Sequence, residues 1–252
     1  MPEVAGFNLT PVKSTALRQP DAIDLRTEGA VGDRRFLFGR LDGSRASGVS
    51  KAPLMPIRTT WDRDADTLTL ELEDGRRVTG DARAHGDPID IKLYDRTVPG
   101  RRIDPVFDAV VADIDETLTI LRVDEPEYAG GVHRVSLISR DSVAAVGSEG
   151  GDPGLDPRRF RMLVEIDGLD AFAEDGWTGG RVRLGEAILR VGSQVPRCVM
   201  TTLDPDSGHP DFPTLDVLTR MRKVGTDLLL GVYADVEEPG LVGLGDPVEP
   251  IS

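Results

Sequence analysis

The chain contains one cysteine, Cys198, in 252 residues. A lone thiol excludes an internal disulfide, a thiolate zinc cage and an iron–sulfur cluster. Lysine is nearly as scarce: only Lys13, Lys51, Lys92 and Lys223 occur, and the other 26 of the 30 basic residues are arginine. The three histidines, His85, His133 and His209, are not spaced as a metal pair, and no Ser–His–Asp signature is present. No run of about 18 apolar residues exists, which excludes a membrane-spanning helix. Residues 1–6 lack a basic stretch followed by an apolar core, so no secretory signal is read, and the expected location is the cytoplasm. Residues 147–154 are glycine-rich but lack the strand before and helix after that a Walker or dinucleotide fingerprint needs.

What is present is acid. A formal charge of −14 argues against nucleic-acid binding, which requires a basic face. Any cluster of basic groups therefore stands out. The length suits one large domain or two closely joined ones, with the weakest join around residues 100–125.

Extended segments are predicted over residues 4–12, 22–26, 35–41, 89–93 and 118–123. Residues 67–72 alternate cleanly and turn at Asp74-Gly75 into 76–79, the clearest hairpin of the chain. In the second half, strands are predicted over 161–166, 181–184, 187–195, 198–203 and 228–236, with a last one entered through Gly245-Asp246. Three helices are predicted: 104–114, with Asp104 at N-cap and Pro105 at N1; 139–146, capped by Ser139; and 214–223. Residues 125–132 read as a loop, and 147–157 as a mobile one. The predicted fold class is α+β, predominantly β, built on a barrel-like sheet.

Four basic motifs lie far apart in sequence: Pro11-Val12-Lys13-Ser14, Gly32-Asp33-Arg34-Arg35-Phe36, Arg158-Arg159-Phe160-Arg161 and Arg197-Cys198. Singly, each reads as a solvated strand end. Together they would build an anion site for a phosphate or polar cofactor. Cys198 is open to several readings: a nucleophile, a redox thiol, one ligand to a soft metal, or a small buried hydrophobe. Arg197 favours its thiolate, Thr201 and Thr202 offer hydroxyls, and Asp204 adds a carboxylate nearby in sequence. Glu174-Asp175-Gly176-Trp177 reads as an exposed acidic turn anchored by an aromatic.

These motifs, with Thr201-Thr202-Leu203-Asp204-Pro205, Gly231-Val232-Tyr233, Pro239-Gly240 and Val242-Gly243, resemble those of MOSC-domain proteins over nearly the whole chain. The mitochondrial amidoxime-reducing component is an enzymatic relative within that family. The resemblance implies an N-terminal β-barrel domain over 1–115 and the MOSC domain over 116–252. It implies a molybdenum cofactor, molybdopterin with its metal, bound between them. Cys198 matches the cysteine that ligates molybdenum. Lys13, Ser14, Arg34, Arg161 and Arg197 match positions holding the pterin and its phosphate, joined by Thr201 and Tyr233. Asp204 is assigned as an acid that supports the metal site or donates a proton. The implied activity is reduction of small N-hydroxylated substrates with electrons from a separate redox protein, and no membrane or nucleic-acid partner is expected. No flavin, nicotinamide or iron–sulfur signature is present to supply electrons internally, and the match stops at Ser252, without the ferredoxin domain of some bacterial relatives. The alternatives are a carrier of the cofactor or of a persulfide on Cys198, and a binding module that has lost the cofactor. Met162 and Leu163 stand where amidoxime-reducing relatives carry Pro-Asn, and Pro196 stands where they carry serine.

Overall fold

The computed structural model describes residues 1–46, 52–93, 96–124 and 133–251. Its largest sheet runs in the order Glu3–Phe7, Val164–Asp167, Val135–Ser139, Asp227–Glu238, Ala187–Pro196, Arg181–Leu184, Val248–Ile251, with Lys223–Val224 paired onto Asp227–Glu238. All pairs are antiparallel except Val135–Ser139 with Val164–Asp167, whose connection contains a helix, as a parallel crossover requires. The two ends of the sheet nearly meet. Glu3 bridges Pro247, Val4 N donates to Asp246 O at 2.9 Å, and Gly245 N donates to Val4 O at 2.8 Å. Closure of this kind removes exposed sheet edges and gives the barrel-like shape. Its interior is filled by side chains such as Val4, Leu137, Ile166, Leu189 and Val232, which are almost wholly buried.

A five-stranded sheet, ordered Val12–Lys13, Phe36–Gly39, Thr119–Val123, Arg96–Arg102, His85–Leu93, carries much of the first half. A meander of Arg58–Asp62, Thr67–Glu71 and Arg77–Asp81 packs its apolar face on the same core, where Leu68, Leu70, Phe36 and Phe107 are fully buried. The predicted hairpin is present in register, with Leu70 opposite Val78. A third group pairs Gly240–Gly243 with Ala22–Arg26, so the chain's end lies on its beginning. The expected boundary at 115/116 falls between Arg96–Arg102 and Thr119–Val123, which pair in the same five-stranded sheet, and Glu3–Phe7 crosses it to join the later strands.

Three short α-helices fall within the predicted segments: α1 (Asp108–Val111), shorter than the expected 104–114 because Pro105–Phe107 is a 3₁₀ turn capped by Asp104, α2 (Arg140–Gly150) and α3 (Thr214–Met221). Asp104 accepts from Val106 N at 2.9 Å, and Ser139 accepts from Asp141 N at 3.2 Å, satisfying donors that the helix itself cannot. None of the helices is long and apolar enough to cross a membrane.

Four further expectations are corrected. Residues 147–150 belong to α2 and not to a loop. A Cβ at Gly147 would lie 2.1 Å from Asp152 O, and one at Gly150 would lie 2.2 Å from the Phe212 ring, so these glycines serve close packing. The helix ends at Gly151, φ 87°, the usual left-handed stop. The extended segment from residue 4 breaks after Phe7, because Leu9 turns out to bridge Arg18. The strand expected from 161 starts at Val164, since Pro157–Phe160 is a 3₁₀ turn capped by Asp156. The strand expected over 198–203 is a 3₁₀ turn, Val199–Thr202. There the Thr201 and Thr202 hydroxyls donate back to the carbonyls of Cys198 (3.0 Å) and Val199 (2.7 Å), closing the turn in place of a sheet ladder. Strands Arg96–Arg102 and Gly240–Gly243 were not anticipated, and the predicted loop 125–132 lies outside the described residues.

Candidate functional site

Lys13, Ser14, Arg34, Arg161, Arg197, Cys198, Thr201 and Tyr233 line one cleft with about 920 Å³ of empty space, open to solvent. The first three come from the start of the chain; Arg161 follows the Pro157–Phe160 turn, Arg197, Cys198 and Thr201 share the segment of the Val199–Thr202 turn, and Tyr233 lies on the strand Asp227–Glu238. Val12–Lys13 is brought in by parallel pairing with Phe36 and Leu37, which also carries the Arg34 turn to the same place. Asp33 is buried; its carboxylate accepts from Thr10 N at 3.0 Å and pairs with the Arg34 guanidinium. Arg34 Nη2 then donates to Arg161 O at 2.9 Å, and Arg161 Nη2 donates to Thr15 O at 2.6 Å. The two turns thus clasp each other across the cleft.

Among the described residues, five non-glycine residues have positive φ, and three of them line this cleft: Ser14 (79°), Arg34 (45°) and Arg161 (52°). Left-handed backbone at a residue with a side chain costs free energy, and such positions concentrate where a function fixes them.

Arg197 is held by neutral acceptors. Its Nε donates to Leu230 O at 2.9 Å, Nη1 to Phe160 O at 3.1 Å and Nη2 to the Met162 sulfur at 2.8 Å. A Cβ at Gly231 would lie 2.7 Å from both Leu137 O and Met162 Cε, so the glycine leaves room for the methionine that meets Arg197. Desolvation pulls the Arg197 pKa down to about 10, opposed by Tyr233, Cys198 and Glu174. Desolvation, and then the charge of Arg34, pulls Arg161 down to about 9, with Asp33 opposing. Both remain cations at neutral pH. Neither pairs with a carboxylate among the described residues, and Arg161 Nη1 is buried without any partner. Two desolvated guanidiniums without a counter-ion are a site for an anion.

Cys198 is exposed beside them, at the start of the 3₁₀ turn. Thr201 fixes that turn, with its carbonyl accepting from Thr214 Oγ1 at 2.6 Å. The Tyr233 phenol is pushed up by burial, against the pull of Arg197 and Arg34.

Other predicted residues lie elsewhere. Asp204 does not line the cleft. Its carboxylate accepts from Ser207 N and Ser207 Oγ, both at 2.7 Å, and these bonds hold it below the ordinary carboxylate range. It caps a turn, and a group held ionised in this way is a poor proton donor. Arg158 faces outward, paired with Asp156 and Asp206. Leu163 faces the barrel core, while Met162 gives its thioether to Arg197.

Polar cleft residues that escaped the sequence reading as site groups are His133, Arg134 and Ser136, whereas Arg159 enters that reading only as part of its basic motif. His133 Nδ1 lies 2.8 Å from Asp235 Oδ2, and its ring stacks at 31° on Tyr233 with centroids 5.4 Å apart. No local spacing could have shown this, because the partners are about a hundred residues apart.

Glu174, expected on an exposed turn, is fully buried. It accepts from Ser139 N (3.2 Å) and Ser142 Oγ (2.9 Å), joining its turn to the start of α2. Desolvation raises its pKa. A raised carboxyl pKa means the folded state holds the proton more tightly than the unfolded one. Its contribution to stability is present below the unfolded pKa and is lost as pH rises through the folded value. Glu174→Gln is therefore expected to flatten the fall in stability as pH rises above the ordinary carboxylate range. Urea unfolding of both proteins through and above that range checks it; parallel curves would contradict it.

The MOSC domain family model matches residues 125–249. A mitochondrial amidoxime reducing component 2 from Bos taurus is 34% identical over 267 residues, covering 90% of this chain and 75% of that protein. Mitochondrial amidoxime-reducing component 1 from Xenopus laevis is 35% identical over 123 residues, covering 45% of this chain and 35% of its own length. The chain thus matches only about a third of the frog protein. The crystal structure of the YUAD protein from Bacillus subtilis superposes with a TM-score of 0.50 at 15% identity, covering 98% of this chain and 94% of that one, which shows a common fold.

Proposed function

Given that the chain belongs to the MOSC domain family, we propose that it binds a molybdenum cofactor in this cleft and reduces N-hydroxylated substrates. The observation that carries the reading is the pairing of an exposed thiol, Cys198, with the two desolvated and uncompensated guanidiniums of Arg161 and Arg197. The residues fit the group. A soft metal prefers a thiolate, and a phosphate prefers arginine forks. The buried, unpartnered Nη1 of Arg161 is a donor in need of such an acceptor.

In this reading Cys198 holds the metal. Arg161, Arg197, Arg34 and Lys13 hold the phosphate and pterin, with Ser14, Thr201 and Tyr233 as polar contacts. When bound, the cofactor supplies two-electron chemistry at the metal. The chain's own part is to fix the anion, orient the thiol through the Thr201 turn, and admit substrate through the open side of the cleft. The relatives' names tie them to amidoxime reduction, and the same substrate class is proposed here. Electrons come from a separate redox protein, because the sequence holds no flavin, nicotinamide or iron–sulfur signature.

The exposure of Cys198 also favours a second reading, a carrier of the cofactor or of a persulfide. One experiment separates them. Protein purified from a host that makes molybdenum cofactor is analysed for metal and pterin. It is then assayed on an N-hydroxylated amidine with a chemical reductant, with NADH alone, and with a reductase pair. Bound molybdenum with turnover under the first and third conditions is expected. Steady turnover on NADH alone would overturn the need for an external donor. Bound cofactor with no turnover under any condition would favour the carrier.

A further inference from the structure

We propose that His133, oriented by Asp235, is the proton donor of the cleft; this rests on the reductase reading above. Reducing an N-hydroxyl group consumes protons. The N–O bond breaks, two electrons arrive from the external one-electron redox protein, and two protons are taken up, giving the N–H product and water. The departing oxygen needs a proton as the bond breaks, and a positioned acid supplies it best when it titrates near the working pH.

The cleft offers few such acids. Among the described residues no aspartate or glutamate lines it. Cys198 is assigned to the metal, and burial pushes the Tyr233 phenol up, away from neutrality. The remaining ionisable lining groups are Lys13 and arginines, which donate poorly at neutral pH. His133 is left, and histidine is the side chain suited to proton transfer in this range.

Its setting is that of a held imidazole. Nδ1 bonds Asp235 at 2.8 Å, and the second carboxylate oxygen of Asp235 accepts from Arg134 N at 3.2 Å. Nε2 has no protein partner among the described residues. The ring rests on Tyr233 on one side. It also lies over Gly192, where any Cβ would sit 2.8 Å from His133 Cε1. That glycine falls at an irregularity in the pairing of Ala187–Pro196 with Asp227–Glu238, between Val191 and Gln194. The sheet therefore makes room for the imidazole. The side chain is 25% exposed, so it can be reprotonated from water. The charged and titratable groups that face it are Asp235 and Tyr233 from Asp227–Glu238, Arg134 from its own segment, and Arg34, Arg161 and Arg197 along the cleft. Asp235 is a positioning residue: it holds the Nδ1 proton, so that a second proton taken up from water on Nε2 is the one passed to the substrate oxygen, and the ring returns to its Nδ1–H form.

The test uses the full chain, with and without cofactor. His133→Gln is expected to lower kcat about 100-fold with KM little changed, and to lose the alkaline limb of the kcat–pH profile. Asp235→Asn is expected to lower kcat by a similar factor. The cofactor-free protein gives an independent reading, because it has only three histidines. ¹⁵N spectra should show one ring whose Nδ1 carries a proton bonded to a carboxylate, absent from His133→Gln and lost or weakened in Asp235→Asn. Unchanged kcat and pH profile in His133→Gln would overturn the proposal. So would an Nε2–H tautomer in the wild type, whatever the kinetics. A loss of melting temperature alone would make the pair a strand fastening and overturn it equally. Inactivity of the loaded wild type under every reductant would remove the reductase reading and this role with it.

Discussion

Replacing Cys198 by serine is expected to abolish the proposed molybdenum-dependent turnover and to leave the fold intact. The side chain is exposed, and the turn it begins is held through its carbonyl and not its sulfur. A substitution of this kind at the surface shifts stability by no more than about 0.5 kcal/mol, or about 1–2 °C in a chain of this size. Serine is nearly the same shape but ligates a soft metal poorly. In the proposed site the arginines would still hold the pterin and its phosphate, so the variant is expected to keep part of its cofactor while losing activity. Metal and pterin content, turnover and melting temperature are measured on the same preparation. Full turnover in the variant would refute the ligand assignment, and a collapse of melting temperature would give Cys198 a packing role instead.

Arg161→Met separates binding from folding. The guanidinium gives up hydration for one bond to Thr15 O and leaves Nη1 without a partner. A methionine of similar length removes a desolvated charge, so the cofactor-free variant is expected to be as stable as the wild type, or more so. Charge-assisted hydrogen bonds are worth about 1.5–3 kcal/mol each, so retention of the cofactor should fall about 10- to 100-fold. Arg158→Met, three residues earlier, is the contrast. It breaks only the surface pairs with Asp156 and Asp206 and should leave retention unchanged. Urea unfolding of the cofactor-free forms and dialysis of the loaded forms give both readouts. Equal losses of retention in the two variants would show a general effect of charge and not a site.

Local signals in the sequence proved reliable where chemistry acts over a few residues. The alternation of residues 67–72 and the Asp74-Gly75 turn gave a hairpin because burial of Leu68 and Leu70 leaves only one register. Ser139 and Asp104 marked helix starts because their oxygens can reach the free amides. The four basic motifs came together because each ends a segment delivered to the same cleft. What stayed hidden depends on distant partners or on strain. Arg34 and Arg161 take left-handed backbone that no propensity favours. The Cys198 turn was read as a strand because valine and threonine favour strands, while hydroxyl back-bonding decided otherwise. His133 had nothing near it in sequence to mark it, since Asp235 reaches it from another strand.

The closing contacts of the barrel set an order in time. Glu3–Phe7 finds its partners in Val164–Asp167 and in residues 245–247, so the first strand waits for almost the whole chain to be made. Contacts of such long separation form late and slowly. The anion cleft shares this schedule, because Lys13 and Arg34 cannot meet Arg197 until the later strands have docked. A cofactor would thus enter a finished protein, and its insertion would be a step after synthesis, limited by supply of the cofactor and not by the ribosome.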